Sequence, residues 1–157
     1  MAKKASVSSS PAWEVNLRAK IEKLRLLEAK AFGPRHGKTD SYNYLKAVYR
    51  FCEWNDPNAS QRIGRRVALL CDIKVRAGTL PIRTVIDATS KEDRQTKSRW
   101  VQALEYARVK RVPADRFKPF LTEQGGIEAC ARKMAVLRKQ KRRQMPWARV
   151  WPSKKPG

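Results

Sequence analysis

Residues 13–31, WEVNLRAKIEKLRLLEAKA, place apolar side chains at intervals of three or four positions. These intervals bring the side chains onto one face of an α-helix and leave the charged residues between them on the other faces. The segment therefore predicts a long amphipathic helix, which Gly33-Pro34 ends. The apolar positions are Leu17, Ile21, Leu24, Leu27 and Ala31.

The same spacing recurs in six further segments along the chain, separated by capping residues and by Gly or Pro. No segment of useful length alternates apolar and polar residues, as a half-buried strand would. We therefore predict an all-α fold, a compact bundle of about seven helices with a disordered N-terminus and a basic tail. The later helices are expected to begin at Asp40 or Ser41, Ser60, Thr79, about Asp93, Pro113 and Gly126, and Gly78 is expected to end the third.

Three regions differ in composition and predict the domain organisation. Residues 1–11 are small and polar and are expected to be disordered, residues 12–144 form a single helical domain, and residues 145–157 form a tail rich in Trp, Pro and Lys. Alternatively, residues 12–54 form a separate helical hairpin, which would suit self-association into a homo-oligomer.

The chain carries 36 Lys and Arg residues against 14 Asp and Glu, a formal net charge of +22. The excess concentrates toward the C-terminus, where residues 91–157 hold 19 basic and 6 acidic residues, a local net charge of +13. A compact domain with this imbalance repels itself, and phosphate polyanions are the usual partners that neutralise it. The composition therefore predicts a nucleic-acid-binding protein, the alternative being a highly charged surface that serves solubility.

The cysteines and the hydropathy of the chain indicate its compartment. Cys52, Cys71 and Cys130 form no CxxC pair, and the odd count favours reduced thiols. No secretory signal follows the N-terminal lysines, and no apolar run approaches about 18 residues, the length that spans a membrane. We predict a cytoplasmic protein that does not interact with membranes.

Catalytic motifs are sparse. His36 is the single histidine, so none of the thiols has an evident base and no zinc-ligand spacing exists. Residues 33–39, GPRHGKT, approach a phosphate-binding loop but are one residue short between the glycines and follow a helix rather than a strand. We predict no enzyme, no cofactor and no metal. The alternative is a metal-dependent nuclease that uses acids among Asp72, Asp87, Glu92 and Asp93.

Two clusters of basic residues in the middle of the chain are candidate nucleic-acid contacts. Arg62, Arg65 and Arg66 are expected on one side of the third helix, with no acid one turn away. Arginine binds phosphate through two hydrogen bonds and also reads guanine edges, which makes it the preferred residue for such a site. A second cluster lies at the start of the fifth helix and comprises Arg94, Lys97 and Arg99.

Residues 125–136, GGIEACARKMAV, resemble the first helix of a Fis-type helix-turn-helix. The resemblance implies that the basic residues that follow lie on or beside a helix that enters the DNA major groove. Alternatively, because Ala135 replaces the glycine of the turn, residues 126–143 form one continuous basic helix. In both interpretations the candidate nucleic-acid contacts are Arg138, Lys139, Lys141, Arg142 and Arg143.

The tail contains Trp147 and Trp151 between prolines, so neither tryptophan belongs to a regular helix. Because exposed tryptophan is unfavourable, three uses are open: packing on the core, binding a protein partner, or stacking on bases.

Taken with the basic helices, the sequence favours double-stranded DNA as the ligand, because helices fit a major groove and no strands are predicted to form an RNA-binding sheet. A transcriptional or mobile-element regulator is the setting that this expectation suggests. The alternatives are an RNA- or ribonucleoprotein-associated protein, and a structural or adaptor protein that binds its partner through the Trp-Pro tail.

Overall fold

The computed structural model describes residues 10–32, 38–52 and 56–145. Within these ranges the chain forms seven α-helices, one short 3₁₀-helix and no strand, which confirms the predicted all-α class. The helices are α1 Ala12–Ala31, α2 Lys38–Phe51, α3 Pro57–Leu70, α4 Pro81–Thr89, α5 Arg94–Val109, α6 Phe117–Glu123 and α7 Ile127–Gln144, with the 3₁₀-helix Ala114–Arg116 before α6. Most of the predicted disordered N-terminus and of the predicted tail lies outside the described residues.

Contacts between residues divide the chain into two compact units, Met1–Lys91 and Glu92–Gly157. The N-terminal unit contains α1 to α4, and the C-terminal unit contains α5 to α7. The single domain over residues 12–144, and the alternative hairpin over residues 12–54, stay predictions about which parts fold independently.

In the N-terminal unit, α1 packs on α2 and α4, and α3 packs on α4. The predicted apolar stripe of α1 is largely confirmed, since Leu17, Ile21, Leu24 and Ala31 are all buried. Gly64 lets α3 approach α4 closely, because a Cβ atom there would lie 3.1 Å from the Cα of Pro81. Burial of these apolar side chains is the main source of stability of such a helical unit.

Hydrogen bonds between buried side chains tie the helices of this unit together. The hydroxyl of Thr89 donates to the carbonyl of Val85 at 2.8 Å, which leaves its oxygen to accept from the Tyr44 hydroxyl at 2.7 Å. Burial raises the pKa of Tyr44, so the hydroxyl stays a donor throughout the accessible pH range. Glu28 accepts hydrogen bonds from the Ser90 hydroxyl at 2.8 Å and from the Lys91 backbone at 3.1 Å, which joins α1 to the end of α4.

The predicted ends of α2 and α3 were wrong. Helix α2 begins at Lys38, before both proposed capping residues. Helix α3 begins at Pro57, because the carboxylate of Asp56 accepts hydrogen bonds from the backbone of Asn58 and Ala59 and proline is favoured at the first helical position. Ser60, the predicted cap, is therefore a buried residue of the helix, and α3 ends at Leu70, well before Gly78.

In the C-terminal unit, α5 packs along α7. Helix α5 starts where the sequence predicted, because the carboxylate of Asp93 accepts hydrogen bonds from the backbone of Gln95 and Thr96. The ring of Phe120 on α6 lies 5.8 Å from that of Tyr106 on α5. Gly125 and Gly126 both have positive φ angles, 95° and 97°, which only glycine adopts without strain, so they can turn the chain from α6 into α7.

Candidate nucleic-acid interface

The three arginines of the predicted α3 cluster are exposed, and they line two different depressions of the N-terminal unit. Arg62 and Arg66 lie one turn apart and line a groove between α1, α2 and α3. Arg65 lines a separate depression beside the loop that contains Gly78. At about 100° per residue the three arginines fall within an arc of about 100° around the helix axis, so they share one side of α3, and their contact with nucleic acid stays a prediction.

The groove between α1, α2 and α3 has a volume of about 870 Å³ and is strongly basic. In the described part of the chain, no Asp or Glu lines it. The guanidinium of Arg66 lies 4.7 Å from the centre of the Trp13 ring, a cation–π contact that holds both side chains at the groove wall. The cations that line the groove are Lys20, Lys23, Lys46, Arg50, Arg62 and Arg66.

Sequence reasoning missed four of these six cations. Lys20 and Lys23 come from α1, and Lys46 and Arg50 come from α2, at spacings of three and four residues. Each pair therefore shares a helical face, and this spacing was the available signal. The signal is weak, because the groove exists only once three helices have packed together.

The second predicted cluster lies in the first turns of α5, and its three members differ in exposure and in ion pairing. Arg94 is exposed, Lys97 is half-buried, and Arg99 forms an ion pair with Glu128 of α7 at 3.1 Å. Positive charges are unfavourable at a helix N-terminus, and the Asp93 carboxylate opposes them there. A hydrogen bond with Thr96 lowers the pKa of Asp93, so this cap stays charged at neutral pH.

Helix α7 is continuous from Ile127 to Gln144, which is the second of the two arrangements expected from the sequence. The resemblance to the Fis-type motif stays a prediction. The buried positions of α7 end at Met134, and Arg138 forms an ion pair with the buried Glu105 of α5. Every residue from Lys139 to Gln144 is exposed. We call this last part of the helix, residues 139–144, the α7 arm.

The α7 arm carries Lys139, Lys141, Arg142 and Arg143, all predicted contacts. Among the described residues, none of the four is in an ion pair, and the sequence contains no acid after Glu128. Arg138, the fifth predicted contact of this group, differs from them because its charge is already balanced by Glu105. The two tryptophans of the tail, Trp147 and Trp151, lie outside the described residues.

Three of the acids considered for metal-dependent catalysis have different structural roles. Asp87 pairs with Arg83 at 3.1 Å, Asp93 caps α5, and Asp72 is an exposed residue with a φ angle of 51°. Across the described ranges, no group of three or more His, Cys, Asp or Glu side chains is placed to hold a metal ion. That the chain has no catalytic activity stays a prediction.

The three cysteines are free thiols. Cys52 and Cys130 are buried, and burial raises the pKa of both thiols, so neither is poised as a thiolate. No helix within the described residues combines the length and the apolar character that crossing a membrane requires.

We compared the chain with protein-family models, with curated proteins and with solved structures. No family model matches it, no curated protein matches it, and no solved structure matches it.

Proposed function

We propose that this protein binds nucleic acid, with double-stranded DNA as the preferred ligand, and that the α7 arm is its principal contact. One observation carries the proposal: the arm is a helical segment with four cations that is exposed on all sides. A helix segment that is polar all round gains nothing from the core. A polyanion that binds the arm would neutralise these four charges, which no nearby acid balances among the described residues.

The geometry of a helix supports duplex DNA over RNA. A helix with its side chains is 10–12 Å across, and the major groove of B-form DNA is about 12 Å wide. The major groove of an RNA duplex is too narrow and deep for side chains to read. Cations in the last turn also interact favourably with the negative end of the helix dipole, so the arm gains helical stability from the same residues that contact phosphates.

Arg94 and Arg99 of α5, and Arg138 of α7, take secondary roles in this proposal. Arg99 and Arg138 already pair with carboxylates, so they position α5 and α7 and contribute less to phosphate binding. Arg94 is exposed and remains available at the start of α5. A DNA-bound regulator of transcription or of a mobile element is the biological setting that this proposal suggests.

The test is fluorescence anisotropy of a labelled 20-base-pair duplex, titrated with the full chain from low to physiological salt. The arm variant replaces Lys139, Lys141, Arg142 and Arg143 with Gln. The matched control replaces two Lys and two Arg residues that are exposed elsewhere, Lys30, Lys74, Arg76 and Arg116, with Gln and so has the same net charge.

We expect the arm variant to lose affinity on the order of 10²–10³-fold at 0.15 M salt, because each phosphate contact contributes about 0.9 to the salt slope. The control variant should change affinity by less than about fivefold. An equal loss in both variants would show that overall charge, not the arm, accounts for binding. Stronger binding of single-stranded or duplex RNA under the same conditions would favour the ribonucleoprotein alternative.

A further inference from the structure

The groove between α1, α2 and α3 combines a cationic rim with an apolar floor. Lys20, Lys23, Arg50, Arg62 and Arg66 are exposed at its edges. The side-chain amides of Asn16 and Asn43 add hydrogen-bonding groups to the lining. A site with this charge attracts a ligand that carries several carboxylates or phosphates.

The floor of the groove is made of aliphatic and aromatic side chains. Leu27, Phe51 and Ile63 are half-buried there, so each keeps apolar surface that a ligand can cover. Leu17 and Leu24 lie beneath them and are buried. Covering apolar surface contributes about 25 cal/mol per Å² removed from water, so a ligand that uses this floor must itself present apolar groups.

We infer that this groove binds an acidic, amphipathic segment of a partner protein. Such a segment places apolar side chains at intervals of three and four residues against the floor and its carboxylates against the cationic rim. An amphipathic helix in a hydrophobic groove is a recurrent mode of peptide recognition, and the charge pattern here selects an acidic one.

The same observations disfavour nucleic acid in this groove. A duplex contacts a protein mainly through phosphates and sugars, and it offers no apolar group that reaches a recessed floor. A single strand would stack its bases on aromatic faces. Only Trp13 and Phe51 are aromatic among the described lining residues, and Arg66 already covers one face of Trp13. The aliphatic floor is better matched by the side chains of a peptide.

This inference is independent of the proposed DNA contact, because the groove belongs to the N-terminal unit and the α7 arm to the C-terminal unit. The probe is a fluorescein-labelled 18-residue peptide that contains Leu at positions i, i+3, i+4 and i+7 and Glu elsewhere. A scrambled peptide has the same composition and charge but no apolar face. Binding of both is measured by anisotropy at 0.15 M salt.

The rim variant carries Lys20→Glu, Lys23→Glu and Arg62→Glu, and its matched control carries Lys30→Glu, Lys74→Glu and Arg65→Glu. All six residues are exposed in the N-terminal unit, and the control residues do not line the groove. We expect the rim variant to lose at least about tenfold in affinity for the amphipathic peptide, because three attractive contacts become repulsive. The control should lose less than about threefold.

A floor variant, Ile63→Ser, tests the apolar contribution without changing the charge. We expect it to weaken the amphipathic peptide and to leave the scrambled peptide unchanged. Thermal unfolding followed by circular dichroism establishes that each variant folds. If the Glu triple variant does not fold, the neutral triple of Gln at Lys20, Lys23 and Arg62 replaces it.

Four results would overturn the inference. Equal affinity for the amphipathic and scrambled peptides would show that the floor is not used. Equal losses in the rim and control variants would show that binding is not confined to the groove. Displacement of the peptide by a 20-base oligothymidine, with the rim variant losing both ligands alike, would assign the groove to nucleic acid. The α7-arm variant should bind the peptide as the unmodified chain does, and a loss there would also contradict the inference.

Discussion

Helices α1 and α7 are the two longest helices in the described part of the chain, at 20 and 18 residues, and both are basic. They differ in how much of their length packs against other helices. The buried stripe of α1 runs from Leu17 to its last residue, Ala31. That of α7 ends at Met134 and leaves the final turns exposed. Neither helix has a side-chain hydrogen bond at its N-cap, so packing rather than capping holds each in place.

The two helices also differ in how their charges are balanced by ion pairs. Helix α1 supplies its own acids, with Glu14 paired to Arg18 at 2.8 Å and Glu22 paired to Arg25 at 2.6 Å. Helix α7 has one acid, Glu128, and it pairs with Arg99 of α5. A basic helix that packs along its whole length therefore balances part of its charge with its own acids, whereas the four cations of the α7 arm have no ion-pair partner among the described residues.

The largest effect on stability is expected at Glu28, the buried carboxylate that joins α1 to the end of α4. Glu28→Ala removes the carboxylate that accepts from both Ser90 and Lys91, and it should lower the free energy of unfolding by about 2–3 kcal/mol. Urea unfolding measures the change. Glu22→Ala is the control, since its pair with Arg25 is exposed, and it should change stability by less than about 0.5 kcal/mol. Equal effects would mean that the buried carboxylate is no stronger an anchor than a surface pair.

Loss of the ion pair between Arg138 of α7 and Glu105 of α5 should have a smaller effect on stability. Arg138→Ala leaves the buried Glu105 carboxylate without its ion-pair partner. Because the Arg138 side chain is 39% exposed, solvent screens the pair, and we expect a loss of about 1–2 kcal/mol in urea unfolding. Lys139→Ala, one residue further along, should change stability by less than about 0.5 kcal/mol. A comparable loss at Lys139 would show that the arm has a structural role.

The same capping substitution should act in opposite directions on the two helices. Pro11 precedes α1 in an extended conformation, so Pro11→Asp can accept a hydrogen bond from the first turn and should stabilise the chain by about 0.5–1 kcal/mol. Gly126 precedes α7 with φ of 97° and ψ of −174°, a conformation that only glycine adopts readily. Gly126→Asp should therefore destabilise the chain by about 1 kcal/mol, since strain outweighs the new cap. A shift of the melting temperature in the same direction for both would contradict this assignment.

Much of the fold was predictable because it depends on local chemistry. The apolar spacing of α1 and the start of α5 at about Asp93 depend on one or two turns of sequence. Four of the five predicted apolar positions of α1 are buried, and α5 begins at Arg94, directly after Asp93. The start of α3 differs from the prediction because Asp56 and Ser60 are both residue types that favour a helix cap, and the sequence analysis selected Ser60. The structure has Asp56 as the cap and Pro57 as the first helical residue.

The candidate sites also divide into one that depends on local sequence and one that depends on the packing of distant segments. The four cations of the α7 arm lie within five consecutive positions, 139–143, so the sequence alone identified them. The groove of the N-terminal unit takes its cations from three helices, and its floor from residues whose side chains sequence reasoning assigned to the core. The ion pair between Glu105 and Arg138 joins residues 33 positions apart, and no helical spacing relates them.

The smallest effect concerns the C-terminal ends of the two helices, where the quantity that differs is the free energy of local opening. The last turn of α1 is fixed by the burial of Glu28 and Ala31, so its amides should be protected from hydrogen exchange. Among the residues that the structure describes, the α7 arm makes no such contact. Its opening should therefore cost less than about 1 kcal/mol, which limits protection of residues 140–144 to below about tenfold. Hydrogen exchange followed by NMR or mass spectrometry measures both ends in one experiment.

Addition of the 20-base-pair duplex should change the hydrogen-exchange protection of only one of the two helix ends. We expect protection of the arm amides to rise at least about tenfold, because phosphates that bind the helical arm stabilise it against opening. The last turn of α1 should be unaffected. Arm amides that exchange as slowly as those near Met134 without DNA would show that another part of the chain already holds the arm. No change on adding the duplex, at a concentration where anisotropy reports saturation, would place the DNA contact elsewhere.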